Sequence, residues 1–247
     1  MQTAFLTDVG LKRIDNQDRV AITTAPSGSQ LLIIADGIGG NQGGSKAATM
    51  TVDFLGNTFL SDTPATPDAA KRWFYQYVQT INDQILETAN QDPQYSGMGT
   101  TLVAAIVLAP TVIVAHIGDS RAYLLHDDTL NQLTRDHTLV NELVRIGELT
   151  PTQAKQSPHQ NVITRAVGVA EVAELEVNAY VLGQGDVFML CSDGLYKEVT
   201  NNQMQRIIKM KRISVQEKCH RLIGRALKTG GADNISVLIC QNTPKRG

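Results

Sequence analysis

The chain has 247 residues, and its 22 Lys and Arg against 24 Asp and Glu give a formal net charge of −2. This balance supplies no basic surface for nucleic acid. The three cysteines each lie within an apolar run, which indicates buried thiols rather than a disulfide framework or a zinc site. No signal-peptide pattern and no apolar run of the roughly 18 residues needed to span a bilayer is visible. We therefore expect a soluble, cytoplasmic protein without membrane insertion.

The pattern of apolar residues in the first third of the chain predicts strands followed by two long helices. The run at 31–35 is short, aliphatic and bounded by turn residues, which is typical of a core strand. Other predicted strands lie at 5–9 and 19–24. Apolar residues at helical spacing predict helices at 45–60 and 66–90, and Thr66 before Pro67 is a typical helix start.

The remainder of the chain predicts further strands, a polar insertion and a helical end. Runs at 102–108, 112–117 and 122–125, separated by short turns, favour an antiparallel meander. The segment 135–164 is polar, carries one short helical pattern and has few core residues, so it predicts a functional flap. Later strands are predicted at 175–182, 186–190 and 235–240, with two helices between the last two. Ser214 and Glu217 predict a capping box on the second helix. We predict one domain spanning residues 1–247.

Aspartates recur where predicted strands end. Asp36, Asp193 and Asp233 each follow an apolar strand and precede Gly or Asn, Asp119 ends a central strand similarly, and Asp18 closes the first loop. Each alone is typical of a turn residue. Several carboxylates at one edge of a core would repel one another unless cations neutralise them. Because the ligand oxygens are hard and sets of His and Cys are missing, the pattern favours Mg²⁺ or Mn²⁺.

Two such ions held about 3.5–4 Å apart can bridge and activate a water and stabilise displacement at phosphorus. Arg13 adds a guanidinium whose donors match phosphate oxygens. A surface salt bridge is an equally good interpretation of Arg13 on its own. Four of the five histidines show no spacing typical of a metal site or a catalytic triad: His116, His126, His159 and His220.

Seven short motifs in this order resemble the metal-dependent protein Ser/Thr phosphatases of type 2C, in their compact bacterial form. Each motif is weak alone, but the set is specific and extends over essentially the whole chain. The motifs are Arg13-Ile14-Asp15-Asn16-Gln17-Asp18, Ala35-Asp36-Gly37-Ile38-Gly39-Gly40, Gly99-Thr100-Thr101, Gly118-Asp119-Ser120-Arg121, Asp136-His137-Thr138, Cys191-Ser192-Asp193-Gly194 and Gly231-Ala232-Asp233-Asn234-Ile235-Ser236.

The resemblance implies an α+β fold, a four-layer α-β-β-α sandwich of two antiparallel sheets flanked by helices, with metals in a cleft at one end. Carried over by position, it implies that Asp36 bridges two ions and that Asp193 and Asp233 complete the first. It places the Gly37 carbonyl, waters and the region of Asp18 around the second ion. It assigns Asp119, with Asp193, to a weaker third site.

Arg13 matches the phosphate-binding arginine of the family, and residues 135–164 match its mobile flap, where His137 could order the segment or start a helix. Three positions depart from the family pattern. Gln17 stands where many relatives have Glu, while Ile38 and Asn41 stand where relatives often carry Met and His. Animal relatives place a proposed general acid at the Ile38 position, and that role is vacant here. We therefore assign protonation of the leaving group to a water rather than to a side chain.

Hydrolysis of phosphoserine and phosphothreonine in proteins is the leading hypothesis, with a metal-bridging water attacking in line and no covalent intermediate. The implied partners are phosphoproteins and a eukaryotic-like Ser/Thr kinase that the enzyme opposes, and we expect a monomer. A pseudophosphatase acting as a regulatory binding module is the alternative, disfavoured because the ligand positions keep their carboxylates. A two-metal nuclease is disfavoured by the neutral charge, and residues 44–46 do not complete a P-loop pattern.

Overall fold

Two antiparallel sheets form the centre of the structure, a computed structural model that describes residues 1–39 and 42–242. The strands of these ranges are β1 Gln2–Asp8, β2 Asp18–Thr24, β3 Gln30–Ile38, β4 Gly99–Thr100, β5 Leu102–Leu108, β6 Thr111–Ile117, β7 Arg121–His126, β8 Thr129–Gln132, β9 Glu176–Val181, β10 Val187–Cys191 and β11 Ile235–Gln241. The α-helices are α1 Gly43–Ser61, α2 Pro67–Gln91, α3 Leu139–Arg145, α4 Pro151–Gln156, α5 Asp193–Tyr196, α6 Asn201–Ile208 and α7 Val215–Thr229. Within the described ranges, no helix has the length and apolar character to cross a membrane.

The first sheet has the strand order β1-β11-β10-β7-β8, and the second has the order β2-β3-β5-β6-β9, with β4 paired to the end of β3. Helices α6 and α7 pack on the outer face of the first sheet, and α1 and α2 pack on the outer face of the second. A third apolar cluster fills the space between the sheets. The predicted four-layer α-β-β-α sandwich is therefore confirmed.

The central strand β3 is buried on both faces. Leu31, Ile33 and Ala35 contact the α1 and α2 layer, whereas Leu32 and Ile34 face the other sheet. Side chains alternate along a strand, so an unbroken apolar run is what a strand between a helical layer and a second sheet requires. The same alternation places Asp36 on the inner face, at the end of the space between the sheets.

The predicted meander is wrong in its third strand. β5 and β6 pair in the second sheet, but β7 pairs with β8 and β10 in the first. The chain crosses between sheets at Gly118–Ser120, where Gly118 has a φ of +105° that favours glycine. Three apolar runs with short connections have the same pattern whether the third stays in the sheet or leaves it. The change of sheet brings Asp119 to the edge where the two sheets meet.

Several local boundaries also differ from expectation. β3 continues through Asp36 and Gly37 because β4 pairs with its last residues, so Asp36 lies within a strand rather than after one. Ser214 caps α7 by accepting a hydrogen bond from the amide of Glu217, but the Glu217 side chain pairs with Arg221 instead of closing a capping box.

The segment 135–164 carries α3 and the unpredicted α4. An isolated bridge between Thr138 and Ile163 joins its two ends, and the amide of Thr164 donates to the carbonyl of His137 over 2.9 Å. The segment is thus a two-helix insertion whose two ends lie side by side.

Candidate metal centre and active site

Asp18 and Asp36 lie opposite each other on neighbouring strands, because β2 and β3 pair with Asp18 in register with Asp36. Asp18 is only 2% exposed. Burial raises the pKa of Asp36 well above its ordinary value, and the charges of Asp18 and Asp193 raise it further. Two carboxyl groups at the inner end of one sheet therefore cannot both ionise at low cost without a cation.

Two serines of the first sheet reach across to Asp18. The hydroxyls of Ser192 and Ser236 each donate to Asp18 Oδ2 over 2.7 Å. Burial raises the pKa of Asp18 to about 6, although both serine hydrogen bonds act in the opposite direction. The other oxygen, Asp18 Oδ1, is buried without a hydrogen-bond partner.

The backbone at Asp36 is held by the strand pair that follows it. The Asp36 amide donates to Thr101 Oγ1 over 3.1 Å, and its carbonyl accepts from the Thr101 amide over 2.8 Å and from Thr100 Oγ1 over 2.9 Å. At Gly37, an added Cβ would lie 2.4 Å from the backbone of Gly44 at the start of α1. Glycine is therefore required for α1 to pack this closely on the end of β3.

Asp119 approaches from the connection between β6 and β7, and Asp193 from the start of α5. Asp119 is 2% exposed, and burial with the charge of Asp193 raises its pKa to about 6. Tyr196 Oη donates toward both the carbonyl and the Oδ2 of Asp119, at 3.1 and 3.2 Å. Lys197 Nζ lies 2.5 Å from Asp193 Oδ2. Buried Oδ1 atoms of Asp119 and Asp193 have no partner.

Arg13 forms a two-point contact with Asp233. Its Nε lies 2.8 Å from Oδ1, and its Nη2 donates to Oδ2 over 2.8 Å. The next residue, Asn234, fixes the Arg13 loop by donating to the carbonyls of Val9 and Asp15 and accepting from the Gln17 amide. The loop and the residues that lead into β11 are thus joined by hydrogen bonds.

The family model of protein phosphatase 2C matches residues 12–228, which covers most of the chain and includes Arg13, Asp18, Asp36, Asp119 and Asp193. The chain belongs to the protein phosphatase 2C family. Among curated relatives, the chain is 38% identical over 242 residues to the serine/threonine phosphatase stp of Listeria welshimeri, covering 98% of this chain and 96% of that protein.

Solved structures of the family have the same fold. The S. agalactiae serine/threonine phosphatase superposes with a TM-score of 0.92 at 34% identity, over 96% of this chain and 98% of that one. The catalytic domain of the phosphatase PstP, solved in complex with two manganese ions, has a TM-score of 0.82 at 34% identity over 96% of both chains. The resemblance found in the sequence motifs is therefore confirmed.

The residues present fit a divalent-cation centre of the phosphatase 2C kind. Oxygens of Asp18, Asp119 and Asp193 are buried without partners, and such orphaned acceptors are costly unless something neutralises them. Two cationic side chains contact carboxylates of the cluster: Arg13 pairs with Asp233 and Lys197 with Asp193. Every donor in the set is a carboxylate or carbonyl oxygen, which suits Mg²⁺ or Mn²⁺.

Arg13 contacts a carboxylate here rather than standing free for a phosphate. The salt bridge considered for Arg13 from the sequence is present, and its partner is the expected metal ligand Asp233. Among the departures from the family pattern, Ile38 is the last residue of β3 and offers no acid group. Asn41 and Gly40 lie outside the described residues.

A histidine cluster gave no signal in the sequence spacing. His116, His137 and Glu176 form the one group of three metal-ligating side chains, among the residues described, whose donor atoms all lie within 4.8 Å of one another. Three of the four ring nitrogens have hydrogen-bond partners: His116 Nε2 pairs with the Arg135 carbonyl, while His137 Nδ1 accepts from the Gly118 amide and His137 Nε2 contacts Glu176.

The two imidazole rings stack 4.8 Å apart at an angle of 15°. Lone pairs in the planes of nearly parallel rings do not converge on one ion. Burial lowers the pKa of both histidines, which favours neutral rings. The cluster therefore joins the start of the 135–164 segment to β6 and β9 and does not form a second metal site.

The residues that hold the carboxylates in place were not predicted from the sequence. Lys197 follows Asp193 by four residues, a helical spacing that could have indicated the pair. Ser192, Ser236 and Tyr196 gave no such signal, because their contacts with the aspartates exist only once the two sheets pack.

Proposed function

We propose that this phosphatase 2C chain uses Mn²⁺ or Mg²⁺ to hydrolyse phosphoserine and phosphothreonine in proteins. The observation that carries the proposal is the set of orphaned, buried oxygens on Asp18, Asp119 and Asp193 around Asp36. Cations bound by these oxygens would relieve the repulsion between the carboxylates. Relatives of similar length are named as a serine/threonine phosphatase and a protein phosphatase.

Two ions are proposed to share Asp36, with Asp193 and Asp233 completing the first site. The Gly37 carbonyl and the region of Asp18 would serve the second. Asp119 and Asp193 would form a weaker third site. When bound, the ions supply an activated water and neutralise charge that develops at phosphorus.

Arg13 would bind the phosphate through its planar donor fork. Its present partner is Asp233, so phosphate binding requires the guanidinium to leave that carboxylate or to share it. Thr100 and Thr101 keep Asp36 in place through its backbone. Because no side chain at Ile38 can donate a proton, the leaving group is proposed to take its proton from water, without a covalent intermediate.

The proposed cellular substrates are proteins phosphorylated by a eukaryotic-like Ser/Thr kinase, which this enzyme would oppose. The proposed active unit is a monomer, with residues 1–247 forming one catalytic domain and residues 135–164 a flap beside the cleft.

Variants of the ligands test the proposal. Asp36→Asn and Asp193→Asn are expected to lower turnover of a phosphoserine peptide with Mn²⁺ at least 100-fold, because each removes a proposed ligand. Arg13→Ala should lower kcat/KM about 10- to 100-fold while Mn²⁺ uptake remains. Asp53→Asn, an exposed site on α1, is the matched control. Turnover close to that of the unmodified protein in either ligand variant contradicts the mechanism.

Calorimetry separates an enzyme from a regulatory module. We expect each chain to take up at least two Mn²⁺. We also expect chelator to abolish the activity and added Mn²⁺ to restore it. A chain that takes up no Mn²⁺ and hydrolyses no phosphopeptide would instead be a pseudophosphatase, the alternative stated from the sequence.

A further inference from the structure

A cavity of about 310 Å³ lies between the 135–164 segment and the proposed metal centre. Its volume is at the lower end of the range of about 300–1,000 Å³ for ligand pockets, enough for one side chain with its backbone. Asp119 and Lys197 line it, and Lys197 also contacts Asp193. The cavity is therefore continuous with the cluster of carboxylates.

One side of the cavity is apolar and comes from the two helices of the 135–164 segment. Val140 and Val144 lie one helical turn apart on α3, and Pro151 and Ala154 lie together on α4. Ala154 is the buried residue of α4, with 8% exposure. These two short helices thus direct four of their apolar residues toward the cavity.

The opposite side is polar but its charges are largely compensated. Arg121 forms a fork with both oxygens of Asp136, with donor–acceptor distances of 2.6–3.1 Å, and its guanidinium lies 3.4 Å above the ring of Tyr196. Lys197 is paired with Asp193. Lys155 of α4 also lines the cavity and is exposed without an ion pair among the described residues. An aliphatic group would contact α3, α4 and the edge of Tyr196.

We infer that this cavity is a specificity subsite that takes an aliphatic side chain of the substrate, of the size of leucine, isoleucine or methionine, close in sequence to the phosphorylated residue. The inference rests on the proposed function. An extended peptide advances about 3.3–3.6 Å per residue, so a residue one to three positions from the phosphoserine can reach a cavity that shares Asp119 with the metal centre.

A peptide series tests the subsite. Phosphoserine peptides carry glycine at all flanking positions, with leucine placed singly at each position from three before to three after the phosphoserine. The readout is the ratio of kcat/KM for a leucine peptide to that for the all-glycine peptide, measured with Mn²⁺. We expect one position to give a ratio of about ten or more, the scale of a small apolar contact.

Variants on one helix then locate the preference. Ala154→Phe fills the cavity and should lower the leucine ratio at least fivefold, whereas Thr152→Phe on the exposed side of α4 should leave it unchanged. Val144→Ala is a second, milder variant on α3 and should lower the ratio about threefold. Thermal melts establish whether each variant is folded. If Ala154→Phe does not fold, the leucine ratio of Val144→Ala tests the subsite instead.

The outcomes distinguish this inference from the proposed function. Hydrolysis of all peptides with no leucine ratio above twofold overturns the subsite alone. A ratio that survives both Ala154→Phe and Val144→Ala places the preference elsewhere and also overturns it. If the all-glycine and leucine peptides are all inert with Mn²⁺, the proposed function fails and the subsite fails with it.

Discussion

Ser236 Oγ donates to Asp18 Oδ2 over 2.7 Å, and this contact joins the last strand of the first sheet to the first strand of the second. Ser192, which directly follows the adjacent strand β10, makes the same contact. Asp18 is thereby held by hydroxyls that belong to the opposite sheet. The two sheets and the position of one proposed metal ligand are consequently coupled.

We expect Ser236→Ala to lower the free energy of unfolding by about 1.5–3 kcal/mol, the range for a hydrogen bond to a charged group. Chemical denaturation at neutral pH measures it. Ser27→Ala, in an exposed turn, should change stability by less than about 0.5 kcal/mol. Equal effects of the two substitutions would show that the contact between the sheets contributes nothing to stability.

The raised pKa of Asp18 predicts the pH dependence of the metal-free protein. The folded-state pKa is about 6, against 3.8 for the unfolded chain. The folded state therefore keeps a proton that the unfolded state has lost between these values, and stability falls as pH rises through this window. Asp18→Asn cannot ionise and retains an acceptor for the serine hydroxyls.

In chelator, the stability of the unmodified protein relative to Asp18→Asn should fall by at most about 2–3 kcal/mol between pH 4 and pH 7. Denaturation curves of both proteins at several pH values measure this difference. Mn²⁺ at pH 7 should then stabilise the unmodified protein more than the variant. A difference that stays constant with pH contradicts the assigned shift.

Lys197 competes with a cation for Asp193. Lys197→Met removes a positive charge from the proposed site and frees Asp193 Oδ2, so we expect Mn²⁺ to bind about three- to fivefold more tightly. The factor is modest because Lys197 is 38% exposed and its charge is partly screened by solvent. Calorimetric titration measures it, with Lys211→Met, an exposed lysine, as control. Weaker binding in Lys197→Met would show that the lysine supports the site instead.

Two glycine substitutions should act in opposite directions. Gly37→Ala places a Cβ 2.4 Å from the Gly44 backbone, which must move, so we expect a loss of about 2–4 kcal/mol or failure to fold. Gly224→Ala lies inside α7 with no atom within 4 Å of the added Cβ, and should gain about 0.5–1 kcal/mol through helix propensity. Thermal unfolding of both variants measures the contrast. Similar stabilities would mean that the packing of α1 on β3 tolerates a side chain.

Local pattern was enough to predict much of the architecture. The apolar run ending at Ala35 and the cap at Thr66 are determined by neighbours in the chain, and each occurs as expected. The same is true of the proposed ligands as candidates, because Asp-Gly and Asp-Asn after apolar runs are local signals. Family motifs, which are also local, indicated the fold.

Tertiary structure alone decided what surrounds those aspartates. The crossing of β7 into the first sheet, the serine hydroxyls on Asp18, the Arg13–Asp233 contact and the stacked His116 and His137 all join segments far apart in sequence. The amino-acid sequence alone determines which residues are charged and where they lie along the chain. Which charges meet depends on how two sheets pack, and the free energy of burying their inner faces is a property of the whole fold rather than of any one segment.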